Sequence, residues 1–450
     1  MANTYLSRTP SSAGNRQTWT ISAWIKRGAL GSYQNICCSR SDANNAMHLC
    51  FDDVDRLFYQ HYLGSSVQGE LKTNRKFRDL NCWYNVVITF DSTNGTAGDR
   101  QKMYINGVEE TSFATDTNIG VNQTSDWNDI SNPMYIGQGG ASNNYWTGSM
   151  SYVAFIDGTA EAPGIFGETD STTGEWKIKT SITPSSGWGT NGFLILKDGN
   201  TGTDQSTNSN NFAVGGGTLT KTEDCPSNVF ATLNPLDIAY TSNLTVANGN
   251  NTTNQTSNWG DYGIRSTLAA TTGKYYWEAK IATSNTLCIL PMETRLVINL
   301  SDGSPADDLY GVQRYSDSTT NIYDDGTFTQ NSSTMWGGIT SSDIISFALD
   351  LDNGKLFLAK NGAYKNQSGA TGDPVNGTNP TFTISDTTKT YGFYTEMRGN
   401  DNNGTIMNFG NGYFGTTAVS SAGTNASGIG IFEYDVPTGY TALSTKGLNQ

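Results

Sequence analysis

Two histidines are the only imidazoles in 450 residues, so chemistry that needs a proton shuttle near neutral pH must pass through His48 or His61. His48 lies in the alternating run Ala46-Met47-His48-Leu49-Cys50-Phe51, which reads as a surface-facing strand position. No Gly-x-Ser-x-Gly elbow accompanies either histidine, and a Ser-His-Asp site has no visible parts. Paired carboxylates are the other route, because retaining glycoside hydrolysis needs two about 5 to 5.5 Å apart. The strand-borne pair is Asp350 and Asp352, and Asp352 also opens the turn Asp352-Asn353-Gly354. A structural role is therefore the expected one. Asp52 with Asp53 and Asp324 with Asp325 are loop pairs without a Trp/Glu framework. No catalytic residue is assigned.

Binding chemistry has more material. Sugar rings stack on exposed aromatics flanked by Asn and Asp donors, and such loops hold Trp127 (SDWNDISN), Tyr145 and Trp146 (GGASNNYWTG), Trp259 (NQTSNWGDYG) and Trp336 (STMWGG). They are the candidate residues for a glycan or protein ligand, while burial as a sandwich plug is the expected state of each. Asp126 and Asp129 place oxygen donors in one loop and are the candidate calcium ligands. Six cysteines are spread thinly, with no Cys-x-x-Cys pair, and read as reduced thiols.

Strands must carry these loops. Charged residues make up 15% of the chain while glycine alone supplies 50 residues, a balance that favours short strands and turns over helix surfaces. Trp19 to Ile25, Tyr84 to Phe90, Lys102 to Ile105 and Ser149 to Ile156 alternate apolar and polar residues. Ile345, Phe347, Leu349 and Leu351 share one strand face ahead of a tight turn, and Lys355 to Lys360 returns to a second turn at Asn361-Gly362. The length implies more than one core. Strand-like runs at 192–196 and 211–214 are assigned to the first core, which places the domains at 1–230 and 231–425, with 426–450 as a C-terminal tail or docking segment.

The net charge of −14 opposes nucleic-acid binding. The N-terminus lacks an apolar targeting core and no stretch reaches membrane-spanning length. A start in a cytoplasm, without membrane insertion, is the expectation.

These segments also resemble known families. WTISAWIKRG, CWYNVVITFD (82–91), KMYINGVEE (102–110), MYIG (134–137) and WTGSMSYVAFIDGTA (146–160) resemble, in that order, a laminin G-like, concanavalin A-like lectin domain. GKYYWEAKI (273–281), YGV (310–312), DIISFALDLDNGKLFLAKNG (343–362) and MNFGNGYF (407–414) resemble a SPRY domain, whose loops bind protein partners without catalysis. The resemblance implies an all-β chain of two antiparallel jelly-roll, concanavalin A-like β-sandwich domains in tandem. With the opening YLSRTPSSAGNRQTWTISAWIKRG and the ending YDVPTGYTALSTKGL, the pairing resembles structural proteins of marine tailed phages. It implies a non-enzymatic virion-surface protein, as fibre, tail-associated or capsid-decorating part. Its expected partners are other virion proteins and a host cell-surface glycan or protein, and it would form a homo-oligomer, with a trimer suiting a fibre. A purely structural virion role and a polysaccharide depolymerase are the alternatives.

Overall fold

The computed structural model describes all residues except 1–2, 198, 200–201, 240–243, 256–261, 282–283, 295–307, 317, 399–403 and 450. The chain is all-β and divides into two compact units, residues 1–221 with 225–227 and residues 222–224 with 228–450. Among the described residues no helix is long and apolar enough to cross a membrane.

In the first unit an eight-stranded and a six-stranded antiparallel sheet enclose one core. Alternation explains the register. Trp19, Ile21, Ala23 and Ile25 on the strand Thr18–Arg27 point inward, and their partners on Trp83–Asp91 pair as Trp19 with Phe90 and Ile21 with Ile88. Trp19 stacks on Phe90 with ring centroids 4.9 Å apart. The runs at 192–196 and 211–214 contribute the strands Phe193–Ile195 and Ala213–Gly216, one to each sheet.

Thr20, Ser22 and Asn85, on the other face of the six-stranded sheet, are buried too. A covering segment explains it. The Thr20 hydroxyl donates to the Thr159 carbonyl (2.8 Å) and accepts from the Glu161 amide (2.8 Å), while Trp176 Nε1 donates to Asn85 Oδ1 (3.2 Å). Polar residues in these strands therefore mark a second interior with hydrogen-bonded partners, not a wet surface.

The second unit pairs a seven-stranded with a nine-stranded sheet. Trp277 stacks on Phe347 (5.3 Å) and meets Phe393 and Phe409 edge-on or tilted, at the centre of a core that includes Ile345, Leu349 and Leu351. The hairpin Ile344–Asp350 and Lys355–Lys360 pairs Asp350 with Lys355, so its loop has four residues. Gly354 is left-handed (φ 59°) and Asn353 is not. The second turn is a two-residue one, with Asn361 (φ 51°) and Gly362 (φ 77°) both left-handed.

Residues 426–449 pack as part of the second unit. Thr441–Ala442 pairs in parallel with Lys274–Ile281, and Phe432, Val436, Tyr440 and Ala442 pack with Phe230, Tyr276, Ala348 and Phe357 in a second core. One buried carboxylate holds this strap. Glu278 Oε1 accepts from the Tyr434 amide (2.8 Å) and the Tyr276 hydroxyl (3.0 Å), and Oε2 from the Glu433 amide (2.9 Å) and Asn408 Nδ2 (3.3 Å). The strap lacks alternation because it follows an irregular path whose backbone is bonded by a side chain, and that hides it from a strand-based reading.

Candidate functional site

The carboxylates that could have done chemistry are engaged in turns. Asp350 is buried, lies 2.9 Å from Lys274 Nζ and accepts from the Asn353 amide (3.0 Å). Asp352 Oδ1 accepts from the Gly273 amide (2.7 Å). Asp52 accepts from the Val54 and Arg56 amides and pairs with Arg56 Nε (2.8 Å), while Asp324 accepts from Gln367 and Asp325 from the Asp308 amide. Burial pushes both histidines down to about 4, with Arg40 adding to the effect on His48 and Arg16 on His61. Both are neutral near pH 7. His61 Nε2 accepts from the Asp126 amide (3.3 Å), and His48 Nδ1 lies 3.2 Å from Asn35 Oδ1.

Asp126 and Asp129 do come together, but around an arginine. Arg16 NH1 is 2.6 Å from Asp129 and NH2 is 3.8 Å from Asp126, so a guanidinium supplies the positive charge that calcium would have brought. Among the described residues no group of three or more Asp, Glu, His or Cys could hold a metal. The pair Asp126 and Asp129 is thus bridged by a side chain of the fold itself.

Burial pushes the Asp126 carboxyl up to about 6 against the pull of Arg16. Its folded value exceeds its unfolded one, so its contribution makes the fold less stable as pH rises from about 4 to about 6. His48 and His61, whose folded values are depressed, act in the opposite sense over that window. Subtracting the Asp126→Asn variant isolates the carboxyl. The expected result of denaturant titrations is that the stability of the unsubstituted protein relative to Asp126→Asn falls as pH rises from 4 to 6, and a pH-independent difference would contradict this assignment.

Of the aromatic candidates, Trp127 is fully buried. It packs edge-on against Phe155 (5.8 Å), and its carbonyl accepts from Ser125 Oγ, which itself accepts from Trp19 Nε1. Trp127 is a core plug and has no surface to offer a ligand. Trp336 is half-buried against the core of the second unit, and Trp146 is half-buried with its ring 6.1 Å from Phe51. Trp259 lies outside the described residues.

Tyr145 is half-buried as well, and it has company. Leu6 and Ile136 point into the core, so strand alternation turns Tyr5 and Tyr135 to the outer face of the eight-stranded sheet. Ser7 pairs with Tyr135, which brings Tyr5 diagonally beside it. The ring centroids of Tyr5 and Tyr135 are 6.1 Å apart at 57°, and those of Tyr5 and Tyr145 are 6.2 Å apart at 46°. Glycine makes this approach feasible, because a Cβ on Gly215 would stand 2.1 Å from Tyr5 Cε2. The loop carrying Tyr145 is tied to the sheet by Gly137 N to Ile36 O (2.9 Å), Asn35 N to Asn144 O (2.9 Å) and Trp146 N to Gly137 O (3.0 Å). Gln138 Nε2 reaches the Tyr145 hydroxyl at 3.4 Å. Sequence reasoning missed Tyr5 and Tyr135, although YLSR and MYIG carry the alternation that would have found them.

Fold and side chains together define a class: a two-unit antiparallel β-sandwich protein with a half-buried tyrosine cradle on the outer face of its first unit. Residues 2–166 match the family model described as the concanavalin A-like lectin/glucanases superfamily. None of the curated proteins matches the chain. Similar solved structures include domains LG4-5 of the mouse laminin alpha1 chain, at 10% identity over 93% of this chain and 92% of that one, with a TM-score of 0.31. The SPRY domain of human HERC1 is similar at 15% identity over 38% and 94%, TM-score 0.29. A heptameric SAP-like pentraxin from Limulus polyphemus is similar at 17% over 35% and 71%, TM-score 0.27.

Proposed function

We propose that the chain is a non-enzymatic attachment protein of a phage particle, whose first unit binds a host cell-surface glycan at Tyr5, Tyr135 and Tyr145. The observation that carries the binding reading is the cradle itself: three half-buried rings, brought together from the N-terminal strand and from a strand with its following loop more than a hundred residues later, with Tyr5 in contact with both others. Their mutual tilt suits a saccharide chain that turns from ring to ring better than a flat surface. The virion setting is supported by the resemblance of the opening and closing segments to marine tailed-phage structural proteins. In that setting the second unit docks to neighbouring virion proteins, and copies assemble as a homo-oligomer, a trimer if the part is a fibre. Carboxylates consumed by turns support binding over cleavage.

The test is binding to an array of bacterial capsular and cell-surface polysaccharides. Tyr5→Ala and Tyr145→Ala should each weaken binding by about 1 kcal/mol, roughly fivefold, with thermal midpoints retained and no dependence on calcium chelation. Bound polysaccharide with both variants equal to the parent would remove the cradle from the account, and release of new reducing ends would return the depolymerase reading.

A further inference from the structure

The second unit has a half-open cavity of about 370 Å³ lined by Asn361, Gly362, Ala363, Tyr364, Tyr434 and Asp435. We propose that this cavity receives one lysine or arginine side chain of a neighbouring protein, with the two tyrosines as walls and Asp435 as the counter-charge. This assignment is independent of glycan binding by the first unit.

Two separately anchored segments build the cavity. One wall is the left-handed Asn361-Gly362 turn, where a Cβ on Gly362 would stand 2.8 Å from Tyr434 Cδ1, so the Tyr434 ring lies directly on the glycine. The other is the C-terminal strap, which Glu278 pins through the Glu433 and Tyr434 amides. Asp435 is exposed, and its Oδ1 is fixed by the Thr424 amide (2.6 Å) and hydroxyl (2.8 Å). The Tyr364 hydroxyl is buried and takes no hydrogen bond in the fold. The part of Tyr364 that lines the cavity is therefore not its enclosed hydroxyl, and the contact it offers a cation is an aromatic one.

The surroundings favour a cation. Asn361 Nδ2 donates to Asp343 Oδ1 (2.7 Å), which keeps a second carboxylate behind the turn. The nearest fixed cation to that carboxylate, Lys360, is occupied by the carbonyls of Trp336 and Gly338 and lies 3.9 Å from Asp343. Burial raises the phenols of Tyr364 and Tyr434, and the carboxylates of Asp435, Glu278, Glu433 and Asp343 reinforce the rise, as expected for a negative local field. Aromatic faces attract cations. The cavity volume accommodates one long side chain, and no group of three or more acidic, His or Cys residues among those described could hold a metal instead.

The test uses the full chain and three blocked amino acids, the N-acetyl methylamides of lysine, arginine and norleucine, followed by calorimetry or ligand-observed NMR. The cationic probes should bind with dissociation constants on the order of millimolar, at least tenfold tighter than norleucine, and more weakly as salt increases. Asp435→Asn keeps a side-chain oxygen for Thr424, and it should abolish the preference with the thermal midpoint retained. Equal binding of lysine and norleucine probes, absence of binding by all three, or an undiminished preference in folded Asp435→Asn would overturn the proposal.

Discussion

Replacing Glu278 with alanine is expected to lower the unfolding free energy of the second unit by about 3 kcal/mol or more, the largest effect of any polar substitution considered. The carboxylate is fully buried and accepts four hydrogen bonds, two of them from consecutive backbone amides of the strap. Removing it strands those donors in a dry interior, where each unsatisfied group costs about 1 to 3 kcal/mol. Denaturant unfolding measures the loss, and hydrogen exchange should show the Glu433 and Tyr434 amides opening first. Glu278→Gln should fall between, because an amide can accept on one side only. Unchanged midpoints for Glu278→Ala would mean that the strap is held by its apolar contacts alone.

Trp127→Ala should destabilise the first unit by about 3 to 5 kcal/mol, the range for truncating a large buried aromatic. The ring contacts Phe155 and closes the core beside Trp19 and Phe90. The indole has no exposed face to offer a ligand. Under conditions where the variant is still folded, its polysaccharide binding should equal that of the parent, in contrast to Tyr5→Ala. Thermal unfolding together with the polysaccharide array separates the two. A folded, normally stable Trp127→Ala that fails to bind would return Trp127 to the binding surface.

The strands were legible in the sequence wherever apolar residues recur at every second position. Trp19 to Ile25 and the Ile344–Asp350 hairpin register follow directly from period-two alternation and turn residues. What stayed hidden depends on partners far away in the chain. SDWNDISN is polar on either side of its tryptophan, and a ring that encloses it, Phe155, is distant in sequence, so the plug's packing partners do not show in the local pattern. Asp126 and Asp129 read as cation ligands because Arg16, over a hundred residues earlier, is not part of the local pattern. Tyr5, Tyr135 and Tyr145 meet through sheet register and a folded-back loop, so local composition points to Tyr145 alone. The strap escaped for the same reason: its bonds go to Glu278, not to a ladder.

The most direct test of the proposed virion role uses intact phage particles from the source of the chain, probed with antibodies raised against the purified protein. The account predicts that the antibodies label the particle surface and slow adsorption to the host, and that purified parent protein, but not Tyr5→Ala, competes with particles for host cells. Absence of the protein from purified particles, or surface labelling with adsorption unaffected by antibody and by competing protein, would contradict it.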